Sequence, residues 1–89
     1  MAREIIWAEP AWRDLETAAD FIGRDSESYA SAFVQRVMES ATFLTEFAEI
    51  GDETIRELLV NPYRLIYEIS DDQVLILALI QGARRTGRF

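Results

Sequence analysis

Neither cysteine nor histidine occurs in the 89 residues, and all nine basic residues are arginine. The lack of cysteine excludes disulfides and thiolate metal sites. The lack of histidine removes the usual zinc ligand and the side chain best suited to moving protons near neutrality. Positive charge is scarce as a whole: the formal net charge is −7. Free nucleic acid is therefore a poor expected partner, since its binding draws largely on phosphate neutralisation. No apolar run approaches the ~20 residues needed to cross a bilayer. The opening Met1-Ala2-Arg3-Glu4 has no apolar core of a signal peptide. The expected location is the cytoplasm.

What is present is a globular composition, with 49 % hydrophobic residues and 11 % aromatics. The length allows one domain. A chain of this size hides only about 60 % of the surface its unfolded form exposes, so a bound partner is a natural source of further stability.

Ile5-Ile6-Trp7 are strand formers, and Glu9-Pro10 stops them. Proline suits the first turn of a helix. From 10 to about 22, Ala11, Leu15, Ala18, Ala19 and Ile22 recur at helical spacing, with Phe21 off the stripe and nearly opposite Trp12. Gly23 is the expected C-cap residue. Asp25 or Ser26 is the expected N-cap of a second helix reaching about Phe47. Its apolar residues, among them Tyr29, Phe33, Met38, Phe43 and Phe47, cover more than half of the helical circumference. A surface helix needs a stripe of only about 100° or somewhat more. Part of this helix is therefore expected to await a partner. The acidic residues Asp14, Glu16, Asp20, Glu39 and Glu46 are expected on solvated helix faces.

Past Gly51-Asp52, strands are expected over 54–60, 63–69 and 74–80, joined by turns at Asn61-Pro62 and Ser70-Asp71-Asp72. Links this short make an antiparallel meander. The last strand is apolar on both faces, as a central strand covered on both sides would be. The expected class is α+β in the order β-α-α-β-β-β. A helical hairpin packs on one face of a small, mainly antiparallel sheet, and something else partly covers the other. Residues 81–89, with three arginines and a terminal phenylalanine, are expected as an extended tail.

Several segments carry a resemblance over nearly the whole chain. Ile5 to Ala11 followed by Asp14-Leu15 resembles the opening of the RelE/ParE toxin superfamily. Phe21 to Ser26 resembles its interhelical turn. Ile55-Arg56-Glu57-Leu58-Leu59-Val60 followed by Tyr63-Arg64-Leu65-Ile66-Tyr67 resembles the paired strands of the ParE-like branch. Gly82-Ala83-Arg84 resembles the closing motif. The loop after the second helix is shorter than usual in the family, and Gln81 stands where a histidine is common.

The resemblance implies the toxin of a type II toxin–antitoxin pair, bound and neutralised by a ParD-like antitoxin. Three functional readings remain open. ParE-like members inhibit DNA gyrase by direct binding, without a cofactor. RelE-like members cleave ribosome-bound messenger RNA, and a member that has lost toxicity would act as a binding module or co-repressor. RNA cleavage by 2′-OH attack needs a base, an acid and a held phosphorane charge. Only carboxylates are available here as base, and no tyrosine follows Tyr67. The gyrase-binding, non-enzymatic reading is preferred. The expected antitoxin-binding residues are Trp12, Phe21, Tyr29, Phe33, Met38, Phe47, Arg56, Arg64 and Arg84. Those expected to act in toxicity are Arg64, Gly82, Arg84, Arg85, Arg88 and Phe89. The competing assignments are core packing for Trp7, Trp12, Tyr63 and Tyr67, and a cross-strand ion pair for Arg56, Arg64, Glu57 and Glu68.

Overall fold

The computed structural model describes residues 3–47 and 55–82. The elements run β1 (Glu4–Trp7), α1 (Glu9–Gly23), α2 (Glu27–Phe47), β2 (Ile55–Val60), β3 (Tyr63–Ile69) and β4 (Gln73–Gln81). The sheet order is β1-β4-β3-β2. β1 lies parallel to β4, and the last three strands form the antiparallel meander. The element order and the central place of β4 are as the sequence implied. Among the described residues no helix is long and apolar enough to cross a membrane.

Both helices start as the sequence dictates. Ala8 is extended and Pro10 sits in the first turn of α1, where its missing N–H costs nothing. Ser26 caps α2, its Oγ accepting from the Tyr29 backbone N–H at 3.1 Å. Gly23 does not cap α1. It is the last helical residue, and the cap is Arg24 in right-handed conformation. The carbonyls of Phe21 and Ile22 are satisfied by the N–H groups of Arg24, Asp25 and Ser26, so the turn needs no left-handed residue.

The helices cover one face of the sheet. Ala11, Leu15 and Ala18 of α1 and Phe33, Val37, Ala41 and Leu44 of α2 meet Val60, Leu65, Ile69, Val74 and Ile76. Tyr63 and Tyr67 are both buried in this layer, and Tyr63 lies 5.1 Å from the Phe33 ring. Arg36 ties α2 to the β2–β3 turn by donating from Nη2 to the Asn61 carbonyl at 2.6 Å.

The opposite face of the sheet departs from expectation. Among the described residues no element covers it. Ile6, Ile55, Leu59 and Ile80 are exposed there, and Leu75, Ile66 and Ala78 are half-buried by neighbours on the same face. The double-sided apolarity of β4 has a second cause. The register with β3 passes from Ile66↔Ala78 to Tyr67↔Ile76, leaving Leu77 as an extra, bulged residue. The bulge shifts the alternation by one. Val74 and Ile76 face the helices before it, and Leu79 does so after it.

Asp14 belongs to this arrangement and not to a solvated face. β1 pairs with β4 only as far as Trp7↔Ile76, because the chain then turns into α1. Beyond that point the β1-side edge of β4 lacks a strand. Asp14 Oδ2 takes its place and accepts the Leu79 N–H at 3.0 Å. Asp14→Ala is expected to lower stability by about 1–3 kcal/mol, the cost of a half-buried donor left unpaired. Asp14→Asn keeps an acceptor and is expected to lose less. Urea unfolding of the two variants measures the difference, and equal midpoints would mean that Asp14 does not serve this edge.

Candidate functional site

The side chains available to a partner follow from how α2 sits. Its buried stripe runs through Ala30, Phe33, Val37, Ala41 and Leu44. At 3.6 residues per turn, Tyr29 and Phe43 fall on one flank of that stripe and Met38 on the other. All three are exposed, so the surplus apolar arc is not wrapped by the domain. Tyr29 and Phe43 line an open hollow whose far wall is edge strand β2, with Leu58, Leu59 and Val60. Phe21 projects from α1, 55 % exposed, beside Arg24, whose guanidinium lies 5.9 Å from the ring centroid. Trp12 is also exposed and meets Trp7 edge-on at 5.3 Å.

Phe33 has to be removed from the expected antitoxin surface. It is 2 % exposed and packs on Tyr63, because it points along the centre of the stripe and not along its margin. The side chain of Phe47 lies outside the described residues. Phe43, Leu59, Ile6, Ile55 and Ile80 were not expected at the surface from sequence, yet they are among the most exposed large apolar side chains. For Phe43 the signal was present as a place on the margin of the α2 arc. For Ile55 and Leu59 it was the alternation along β2, which puts both on the face away from the helices.

The arginines do not form one patch. Arg56 alternates with Glu57 and Leu59 along β2 and lies on the helix side of the sheet, opposite Tyr67. Arg64 lies on the other side, between Leu59 and Ile80. The idea of one acidic segment reaching both on a single face is corrected by the strand register. The expected cross-strand ion pair exists for Arg64. Its Nη1 lies 2.9 Å from Glu57 Oε1. Its Nε also donates to the Gly82 carbonyl at 3.0 Å, and only 16 % of its side chain is exposed.

Gly82 has φ +131°, in the region that favours glycine, and its N–H donates to the Pro62 carbonyl at 3.1 Å. Gln81 belongs to β4, opposite Tyr63, and not to a tail. Arg84, Arg85, Arg88 and Phe89 lie outside the described residues. Among the described residues no three acidic, histidine or cysteine side chains are grouped to hold a metal. The described surface is one of apolar flanks and engaged arginines. Such an arrangement binds; it offers no acid–base pair on the histidine or lysine pattern.

A family model described as the ParE toxin of the type II toxin–antitoxin system, parDE, matches residues 5–86. None of the curated proteins matches the chain. Among solved structures, a chain of the chromosomal ParDE system from P. aeruginosa superposes with a TM-score of 0.75 at 19 % identity, covering 91 % of this chain and 97 % of that one. A chain of the archaeal RelE–RelB complex from Pyrococcus horikoshii OT3 superposes with a TM-score of 0.68 at 18 % identity, covering 96 % of this chain and all of that one.

Proposed function

The chain belongs to the ParE toxin family of type II toxin–antitoxin systems, and from that premise we propose that it inhibits DNA gyrase by direct binding and is held inactive by a ParD-like antitoxin. The observation that carries the binding part is the unwrapped arc of α2. Tyr29, Phe43 and Met38 stand exposed on both flanks of a helix whose centre is fully buried. Grooves of this kind suit a partner segment that folds as it binds, laying apolar side chains along the helix. The similar P. aeruginosa chain belongs to a ParDE system, in keeping with a partner of the ParD type. The negative charge of the chain favours an antitoxin whose apolar residues, more than its acidic ones, make the main contacts.

Action without chemistry of its own follows from composition. The chain has no histidine or lysine, and no tyrosine after Tyr67. Arg64, the arginine best placed to hold phosphorane charge, is already engaged by Glu57 and Gly82. Residues 82–89, with Arg84, Arg85, Arg88 and Phe89, are assigned to the gyrase contact, which would take place in the bacterial cytoplasm. Purified toxin is expected to block supercoiling and trap cleaved DNA in an assay with gyrase, and added antitoxin is expected to reverse both. Unaffected gyrase together with cut ribosome-bound message would replace this reading by the nuclease one.

A further inference from the structure

We propose that Arg64 is a positioning residue, whose forked guanidinium sets the direction in which residues 83–89 leave the sheet by holding the Gly82 carbonyl. The proposal rests on the assignment of that segment to gyrase inhibition. It replaces direct contact between Arg64 and a target.

Gly82 is the residue at which β4 ends, and both of its hydrogen-bonding groups are fixed from β3 and the turn before it. Its N–H is held by Pro62 and its carbonyl by Arg64 Nε. Two fixed peptide groups on either side of one α-carbon leave little freedom in the exit direction of the chain. The φ of +131° is part of that geometry and is strained for any residue with a Cβ. Arg64 is in turn held by Glu57 of the edge strand β2, so the exit is referred to three strands at once. The ion pair also keeps a largely covered charge from being left unpaired. The residue type follows from the task. A guanidinium presents Nε and Nη1 in a rigid plane and serves two acceptors in different directions, which a lysine ammonium on a flexible stem does not. Charge-assisted bonds to both acceptors also resist competition by water.

Because the chain has no cysteine, two introduced cysteines label uniquely. Nitroxides on Glu16→Cys, exposed on α1, and on Thr86→Cys report the distance between the helical layer and the segment beyond Gly82. Arg64→Ala is expected to shift or widen that distance distribution, the width changing by roughly twofold, and Arg64→Lys is expected not to restore it. Gly82→Ala reaches the same result with the guanidinium intact. In unlabelled full-length chains, gyrase inhibition should fall roughly tenfold for Arg64→Ala and Gly82→Ala, about the effect of one lost charge-assisted bond. Urea midpoints and hydrogen exchange of the helices, run alongside, separate this from unfolding.

An unchanged distance distribution in Arg64→Ala and Gly82→Ala overturns the proposal. So does a changed distribution with undiminished inhibition. A chain carrying Arg84→Ala, Arg85→Ala and Arg88→Ala that still inhibits fully would instead defeat the assignment of the segment to gyrase, with the Arg64 effect on distance intact.

Discussion

Phe33→Ala is expected to remove about 3–5 kcal/mol of folding stability, the usual range for deleting a buried phenyl ring. The ring is the largest of the fully buried side chains and joins α2 to β3 through Tyr63. No neighbour is placed to refill the space, because Val37 and Leu65 already pack the same layer at full burial. Domains of this kind hold a total of roughly 5–15 kcal/mol. The variant should therefore be partly unfolded at 25 °C and show a much lower urea midpoint. A partner that binds only the folded chain adds about 4 kcal/mol at a thousandfold excess over its Kd. Co-expressed antitoxin is expected to restore the fold, and circular dichroism of the complex would show it. A midpoint within error of the unsubstituted chain would mean that Phe33 does not anchor the hairpin.

Tyr29→Ala is expected to do the reverse, sparing the fold and weakening the antitoxin. The side chain is 55 % exposed, and its backbone N–H, not its ring, makes the cap contact with Ser26. Substitutions at such positions usually change stability by no more than about 0.5 kcal/mol. An aromatic anchor at the rim of a hollow is the kind of residue whose truncation costs binding about 2 kcal/mol, or roughly thirtyfold in Kd. Titration calorimetry with the ParD-like antitoxin measures it, with Glu39→Ala on the same helix as the control. Undiminished affinity would take the antitoxin off this flank of α2. The uncovered sheet face with Ile6, Ile55, Leu59 and Ile80 would then be the next surface to test.

Much of the architecture was legible in the chain. Apolar spacing in 10–22 and 26–47, the Glu9-Pro10 stop, and the turns at Asn61-Pro62 and Ser70 to Asp72 located all six elements to within a residue or two. Those signals are local, because each is fixed by the backbone geometry of a few neighbouring residues. The candidate site was legible only in part. The margin positions Phe21, Tyr29 and Met38 are exposed as expected, and Phe33 is not. A broad apolar arc says that a helix has surplus surface, but not which third of it the sheet will take.

By itself the sequence determined the class, the element order and the kind of chemistry open to the molecule. A chain with no histidine, lysine or cysteine carries that limit into any fold. Tertiary structure alone decided that Arg56 and Arg64 lie on opposite faces, that Leu77 bulges and returns Leu79 to the core, and that Asp14 serves the open edge of β4. Each depends on strand register or on where a neighbouring strand ends. A shift of one residue in register exchanges the two faces of a strand while leaving its composition untouched.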